Sequence, residues 1–345
     1  MSAEPLFVSV VVPCRNEVRY IAACLDSILS SEYPADRLEI LVVDGRSDDG
    51  TRAVIEDYAA RHPVVRLIDN PKGITPVALN TGIRAARGEI IVRMDVHVVY
   101  PPEYIPRLVA ALQTTGADNV GAVLVTRPAS DHAIPRAIAV ALAHPFGVGN
   151  SYFRIGVSAP RWVDTIAFFC CRRTLFDRVG MFDEELVRHQ DGEFNARLIG
   201  RGGRILLIPD VQSFYYARGS LRQVSRMYFQ YGYFKPLVAR KLGRIMTLRQ
   251  MVPPLFVASL IATAFAGIWL PAAAVLAAGI AGTYATLMAA CSVWAARRHG
   301  IKCALALAVV FPLLHVSYGV GFLRRLVELV ALPRSQRVAE LPLSR

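Results

Sequence analysis

Residues 38–44 read Leu-Glu-Ile-Leu-Val-Val-Asp, and residues 90–95 read Ile-Ile-Val-Arg-Met-Asp. Each apolar run is typical of a buried parallel strand, which is a near-continuous series of Val, Ile and Leu. The runs end in Asp44 and Asp95, and His97 follows the second acid at i+2. In open α/β sheets the ligand lies beyond the carboxyl ends of the strands. The two stretches therefore predict an α/β sheet whose edge presents acids to a polar ligand and a metal.

Strands and helices alternate from Leu6 to about Val125. The predicted strands are Phe7–Val12, Glu39–Val43, Val65–Ile68, Ile90–Met94 and Val120–Val125, and the predicted helices are Tyr20–Leu29, Arg52–Ala60, Pro76–Ala86 and Glu103–Thr114. This alternation predicts right-handed crossovers and a doubly wound, Rossmann-like and mostly parallel sheet. The first strand is not followed by GxGxxG and the chain has no Walker A motif, so neither usual phosphate loop is expected.

The pattern is less regular from residue 126 to 219. Predicted strands are Trp162–Cys171, Arg204–Ile208 and Gln212–Tyr216, with a helix at Asp191–Ile199. We expect a catalytic domain at 1–219, amphipathic interfacial helices at 220–250, a membrane region at 251–330 with two or three apolar segments, and a polar tail at 331–345.

The composition points to a membrane protein. Hydrophobic residues make up 54% of the 345, the mean hydropathy is +0.37, and the apolar excess follows Val252. The formal net charge is +12, and many cations flank this apolar third, which favours lipid headgroups as the anionic partner. Zinc-finger and RNA-binding motifs are missing, so nucleic acid is not an expected partner. The six cysteines have no metal-binding spacing and are expected to be small buried side chains.

Three charge-free runs, Val252–Leu270, Pro271–Ala296 and Cys303–Leu323, approach or exceed the ~20 residues that span a bilayer. The basic and aromatic segment before them suits the headgroup layer. No signal peptide precedes the first strand, so the catalytic domain is expected in the cytoplasm. The cationic residues 297–302 then lie on the cytoplasmic side of the membrane, as the positive-inside rule requires. Pro312 and two glycines interrupt the third run, which leaves a crossing and a re-entrant hairpin both open.

The acids allow alternative roles. Asp95 and His97 point the same way in extended backbone, and such a pair suits Mn²⁺ or Mg²⁺ held mainly by substrate phosphates; the alternative is a surface pair without a ligand. Asp44 either accepts the N–H of a nucleobase or is a turn residue that caps the next helix. Arg15 or Lys72 would meet a diphosphate, or be a solvated charge. Asp191 is either a general base or a helix cap.

Several stretches together carry a family resemblance. They are residues 11–17 (Val-Val-Pro-Cys-Arg-Asn-Glu), 42–51 (Val-Val-Asp-Gly-Arg-Ser-Asp-Asp-Gly-Thr), 70–73 (Asn-Pro-Lys-Gly), 93–97 (Arg-Met-Asp-Val-His), 190–198 (Gln-Asp-Gly-Glu-Phe-Asn-Ala-Arg-Leu), 228–232 (Tyr-Phe-Gln-Tyr-Gly) and His315-x-x-Tyr318-Gly319. The set resembles family 2 glycosyltransferases of GT-A fold, and within them the succinoglycan-biosynthesis glucosyltransferase group.

The resemblance implies roles for individual residues. Donor-nucleotide binding would fall to Pro13, Arg15, Glu17, Asp44, Lys72 and Asp95. Asp95 and His97 would hold Mn²⁺ or Mg²⁺, and Asp191 would be the catalytic base. Residues 223–227 resemble the QxxRW motif of processive synthases with Met227 in place of Trp; this weakens a processive assignment but leaves Arg226 as a diphosphate contact.

The resemblance and the residues together predict a metal-dependent inverting hexosyltransferase. It would move a hexose, with glucose favoured, from a UDP-sugar to a polyprenyl-diphosphate-linked glycan at the inner membrane face, during exopolysaccharide or cell-surface polysaccharide synthesis. The alternatives are a polyprenyl-phosphate glycosyltransferase, a processive polysaccharide synthase, or a catalytically silent scaffold that binds nucleotide sugars. The donor sugar, the linkage and the oligomeric state leave no signal in the sequence.

Overall fold

The computed structural model describes residues 4–244 and 247–331. Its contacts group into two compact units. Unit 1 is Met1–Val125 with Tyr152–Tyr216, and unit 2 is Thr126–Ser151 with Ala217–Arg345. The predicted polar tail lies outside the described residues except for Ala331, and the predicted division into four functional parts stays a prediction.

Nine strands of unit 1 form one sheet. They are β1 (Val8–Cys14), β2 (Leu38–Asp44), β3 (Val65–Asp69), β4 (Ile90–Arg93), β5 (Val98–Val99), β6 (Asn119–Arg127, whose last two residues fall in unit 2), β7 (Arg161–Val163), β8 (Cys170–Arg172) and β9 (Ile205–Tyr216). The order is β3-β2-β1-β4-β8-β6-β9-β5, and β7 pairs with β9. The neighbours β3, β2, β1 and β4 are parallel, and β8 is antiparallel to β4 and β6. The predicted α/β class is confirmed.

Thirteen α-helices occur in the described residues. They are α1 (Ile21–Leu29), α2 (Thr51–Arg61), α3 (Thr75–Ala85), α4 (Tyr104–Thr114), α5 (Ala133–Leu142), α6 (Pro145–Val148), α7 (Tyr152–Ile155), α8 (Leu175–Val179), α9 (Gln190–Gly200), α10 (Leu221–Leu242), α11 (Val252–Ala266), α12 (Pro271–His299) and α13 (Ile301–Ala331). The long insertion between β6 and β7 carries α5, α6 and α7, which the sequence pattern did not predict.

Three of the predicted strands were wrong in extent. Trp162–Cys171 is not one strand: β7 and β8 are separate pieces of it that pair with different neighbours. The two predicted strands at Arg204–Ile208 and Gln212–Tyr216 are a single strand, β9. A local apolar pattern reports burial but not the partner strand, so it does not show where a ladder stops or continues.

Strands β1, β2 and β4 are buried on both faces, and because they are parallel the loops that follow them lie at one edge of the sheet. Val8, Val10 and Val12 face one core cluster with Ile40 and Val42, and Val11 and Val43 face the other. Helix α3 approaches β1 so closely that a Cβ on Gly82 would lie 2.5 Å from Val11 Cγ1. In register, Cys14 pairs with Asp44 and Val11 pairs with Arg93. The carboxyl ends of β2, β1 and β4 are therefore side by side.

Unit 2 contains the apolar helices. Among the residues that the structure describes, three helical segments are long and apolar enough to cross a membrane: Leu248–Ala266, Pro271–His299 and Ile301–Ala331. They suggest membrane association. Their exposed surfaces carry large apolar side chains, among them Phe265, Trp269 and Leu276 at 63%, 65% and 56% exposure, which a water-soluble surface does not normally collect in one region.

Candidate active site at the carboxyl edge of the sheet

The loops after β1 and β2 are joined by hydrogen bonds. The Asn16 amide N–H donates to Ser47 Oγ at 2.8 Å, and the Asn16 side chain exchanges two hydrogen bonds with Asp48 at 2.8 and 3.0 Å. The Glu17 N–H donates to Thr51 Oγ1 at 2.7 Å. Asn16 has a φ of 53°, a conformation that Asn tolerates better than most residues. The two loops therefore form one braced surface.

Asp44 is fully buried at the end of β2. Ser47 donates to it twice, from Oγ at 2.5 Å and from the backbone N–H at 3.2 Å, and Arg52 Nη1 lies 3.7 Å away. These contacts give Asp44 the turn-forming role that was one of its two readings. Each carboxylate oxygen has a second lone pair, so the same group retains the capacity to accept a further donor.

Arg15 is held between the loops after β2 and β3. Its Nη1 donates to the Gly73 carbonyl oxygen at 3.1 Å. A Cβ on Gly45 would lie 3.0 Å from Arg15 Cβ, and one on Gly73, whose φ is +64°, would lie 2.6 Å from Arg15 Nη1. Glycine at positions 45 and 73 therefore leaves the space in which the Arg15 side chain lies between the two loops.

Lys72 and Pro13 are also predicted to bind the nucleotide. Lys72 is 64% exposed and makes a 2.8 Å ion pair with Glu184, a residue that the sequence analysis had not singled out. Pro13 is paired with Val43 within the parallel sheet.

His97 is positioned by Glu17. His97 Nδ1 lies 3.2 Å from Glu17 Oε2, and both side chains are partly buried. The rings of Tyr20 and Tyr215 meet the His97 ring edge-on, with centroid distances of 6.1 and 6.4 Å. A carboxylate that accepts from Nδ1–H selects the tautomer whose Nε2 carries the lone pair.

The Arg93 guanidinium bridges the carboxylates of Asp95 and Asp191. Only 4% of its side chain is exposed; its Nε and Nη2 donate to the two oxygens of Asp95 at 2.7 and 3.0 Å, and its Nη1 contacts Asp191 Oδ1. Burial alone would lower the pKa of Arg93, but Asp191 and Asp95 raise it, so the guanidinium stays charged. Sequence reasoning missed this role. The signal was a cation inside an apolar strand, two residues before an acid on the same face.

Asp191 lies in the first turn of α9, where the N-cap position is taken by His189. The helix-cap reading of Asp191 is therefore wrong. Burial raises the pKa of Asp191 to about 6; the charge of Arg93 opposes the shift and that of Asp95 adds to it. A carboxylate with this pKa is a stronger base than a solvent-exposed aspartate.

Helix α9 is anchored by the residues that follow Asp191. Arg197 pairs with Glu193 at 2.7 Å and donates to the carbonyl oxygens of Val179 and Met181 at 2.6 and 2.8 Å. Phe194 stacks on Phe182 with a centroid distance of 4.7 Å. These contacts position the carboxylate of Asp191 through the helix that carries it.

Two series of contacts link several predicted site residues of unit 1. One runs from Asp44 through Ser47 to Asn16 and its chain neighbour Glu17, which contacts His97. The other joins Asp95, Arg93 and Asp191, and Asp95 is only two residues from His97 along the chain. Arg226 belongs to unit 2 and its role as a diphosphate contact stays a prediction.

Residues 4–244 and 247–331 contain no cluster of three or more His, Cys, Asp or Glu side chains that could hold a metal ion. Asp95 and His97 stay the predicted metal ligands, and they would supply two protein ligands rather than a complete site. A carboxylate and an imidazole fit a cation that takes its remaining ligands from substrate phosphates and water. Asp95 accepts one hydrogen bond on each oxygen from Arg93, which leaves lone pairs on both.

Comparison with known proteins agrees with this fold. The profile of glycosyl transferase family 2 matches residues 9–180. The chain is 30% identical over 323 residues to the succinoglycan biosynthesis protein ExoA of Rhizobium meliloti (strain 1021), covering 92% of this chain and 94% of that protein. Glycosyltransferase AglE of Haloferax volcanii is 28% identical, covering 61% of this chain and 67% of that one. The chain belongs to glycosyltransferase family 2.

A solved structure supports the fold. The mannosyltransferase PcManGT from Pyrobaculum calidifontis, solved in complex with GDP-Man and Mn²⁺, superposes with a TM-score of 0.58 at 24% identity and covers 93% of this chain and 88% of that one. At this identity the likeness establishes the GT-A fold.

We expect Arg93→Met to destabilise the protein by about 3–5 kcal/mol, because it leaves two partly buried carboxylates without their cation. The stability of Arg93→Lys should lie between those of Arg93→Met and the parent. An ammonium group lacks the planar guanidinium fork that donates two N–H groups to Asp95. Thermal unfolding of the detergent-purified proteins measures the order of their stabilities. Asp191→Asn is the control, because Arg93 keeps its two bonds to Asp95. A Met variant as stable as the parent would contradict the bridge.

Proposed function

We propose that the protein is an inverting glycosyltransferase that moves a hexose from a UDP-sugar, with glucose favoured, to a polyprenyl-diphosphate-linked glycan. The observation that carries the proposal is the Arg93 bridge, which brings a prospective base, Asp191, next to a prospective metal ligand, Asp95. A single displacement needs these two functions on adjacent parts of one site. Family membership supplies the reaction class.

Asp191 is proposed as the base that removes the proton from the acceptor hydroxyl. The freed oxygen attacks the anomeric carbon as the bond from that carbon to the nucleoside diphosphate breaks, so the anomeric configuration inverts. Arg93 orients the carboxylate from one side. This leaves the other oxygen of Asp191 as the atom that would meet the hydroxyl.

Asp95 and His97 are proposed as ligands of Mn²⁺ or Mg²⁺, with Glu17 as the residue that orients His97. When bound, the cation would neutralise charge that develops on the departing diphosphate. The solved complex of PcManGT contains Mn²⁺, which supports this choice of ion.

The nucleotide is proposed to bind at the loops after β1, β2 and β3. Asp44 would accept from the nucleobase, and Arg15 would lie near the diphosphate; Pro13, Glu17, Lys72 and Arg226 are the further predicted contacts. The name of the ExoA relative supports a role in exopolysaccharide synthesis. The apolar helices support a site of action at the inner face of the bacterial cell membrane, with the catalytic unit in the cytoplasm.

Purified protein with lipid-linked acceptor is expected to release UDP from UDP-glucose when Mn²⁺ or Mg²⁺ is present. Asp191→Asn should lower turnover about 10²–10⁴-fold, because the base is lost, and leave donor affinity within a few-fold. UDP release and equilibrium binding measure the two effects. Asp57→Asn, which removes only an exposed ion pair with Arg61, is the matched control. Undiminished turnover of Asp191→Asn would exclude this base.

The pH dependence of kcat/KM should show an acidic limb near pH 6. Asp191 acts as a base only when it is ionised, and its raised pKa of about 6 means that activity falls as the pH drops through that value. Initial rates from pH 4.5 to 8 measure the limb. A profile that stays flat down to pH 4.5 would contradict the raised pKa.

Glu17→Ala is expected to weaken Mn²⁺ binding about 10–100-fold in the presence of UDP, because His97 loses the acceptor that fixes its tautomer. Glu17→Gln retains an acceptor oxygen and should lose less. The electron paramagnetic resonance signal of free Mn²⁺ measures affinity without turnover. Glu56→Gln, at an exposed ion pair with Arg52, is the control. Equal affinity in the parent and Glu17→Ala would remove Glu17 from the metal site.

A further inference from the structure

Within unit 2, helices α10 and α13 lie side by side and run in the same direction. Ser225 Oγ and Ser317 Oγ are 2.9 Å apart. Two turns further along α10, the Tyr233 hydroxyl donates to Glu328 and accepts from Arg325 Nη1 at 3.0 Å. Residue numbers rise together along both helices, so the pair is parallel.

Glycines bring the two backbones into contact. A Cβ on Gly232 would clash with the carbonyl oxygen of Tyr318, and a Cβ on Gly321 would clash with that of Phe229. The pair is therefore fixed over this stretch, and α13 must occupy the same depth relative to a membrane as α10.

Helix α10 is unsuited to the bilayer core. Exposed cations stand near both of its ends, among them Arg226 and Arg240. These two are separated by about 21 Å along the axis, which is less than the ~30 Å of hydrocarbon in a bilayer. The helix begins five residues after Tyr216, the end of the last strand, and Arg249 beyond it bonds Asn150 Oδ1 at 2.7 Å. Helix α10 thus belongs in the headgroup layer.

A crossing α13 would contradict this placement. If α13 entered the bilayer at Lys302, Ser317 would lie about 22 Å deeper. Its partner Ser225 would then be inside the hydrocarbon, together with the exposed cations Arg222 and Arg226. A charge at that depth costs at least about 2.5–3.5 kcal/mol.

The apolar residues of α13 fit a surface helix. Val316, Val320, Val327 and Val330 are 42%, 41%, 64% and 80% exposed, and partly exposed Leu323 lies between them. The spacing of i, i+4, i+7, i+11 and i+14 puts all five on one face. The opposite face packs on α10. Of the most apolar window of α13, 39% is buried within the protein, against 11% and 0% for the other two candidate spans.

We propose that α13 does not cross the membrane: its C-terminal half lies in the headgroup layer, with the stripe of Val316, Val320, Leu323, Val327 and Val330 on the lipid acyl chains. The described chain then ends at Ala331 on the same side of the membrane as α10. The Tyr284 hydroxyl of α12 lies 2.8 Å from His315 Nδ1, so the middle of α12 lies at the level where this half of α13 begins. Helix α11 and the first half of α12 are then the inserted part, and the cationic turn at Arg297 and Arg298 lies on the same side as α10, as the positive-inside rule requires.

The depth of spin labels in proteoliposomes tests this placement. In a chain with Cys291→Ser, labels are attached at Val316→Cys and Val327→Cys, and their depths are compared from relaxation by oxygen and by a water-soluble nickel complex. The two sites are about 16 Å apart along the helix. A surface helix gives equal depths within a few ångströms, whereas a crossing helix separates them by most of that distance and overturns the proposal.

Leu276→Cys and Leu287→Cys are the matched control on α12. They have the same spacing and are 56% and 53% exposed, so an inserted helix should separate their depths clearly. If a label at Val316 or Val327 prevents folding, Val320→Cys and Val330→Cys provide a second pair about 15 Å apart. The measurement needs neither donor nor turnover, so its failure is distinct from failure of the proposed function.

Discussion

The site depends on one buried cation placed between two carboxylates. Arg93 ends a central parallel strand, binds Asp95 with two N–H groups and reaches Asp191 on a helix that lies almost one hundred residues further along the chain. A buried charge of this kind is tolerated only with partners, and the partners are tolerated because the cation is present. Strand, loop and helix are therefore held in one arrangement, with Asp191 ionisable near neutral pH.

The carboxylates of Glu39 and Asp191 illustrate how the surroundings of an acid decide the direction of its pKa shift. At the start of β2, Glu39 accepts from Ser9, Arg66 and the Arg87 N–H; burial alone would raise its pKa, but these hydrogen bonds lower it. Asp191, at the opposite edge, has its pKa raised because one guanidinium does not offset its burial. The fully satisfied acid stabilises the sheet, and the poorly satisfied acid keeps the capacity to accept a proton.

In unit 2, hydropathy and packing lead to different conclusions about the same helix. The most hydrophobic of the three candidate spans is α13, with a mean hydropathy of 2.0 in its best window. Part of that apolar surface, 39% of the window, is buried within the protein, and α10, one of the helices that cover it, carries exposed arginines that favour the headgroup layer. A hydropathy window counts side chains without regard to what covers them, so it treats a protein-facing and a lipid-facing leucine alike.

The sequence by itself determined the four parallel strands, their order of appearance, the acids at their ends and the helix that carries Asp191, because periodicity and strand-end position are local properties. Tertiary structure alone decided which groups meet. Arg93 became a bridge, Glu17 the partner of His97 and Glu184 that of Lys72, while the 162–171 stretch divided between two ladders. Such pairings join residues that are distant along the chain, and their energies arise only once folding has removed the intervening water.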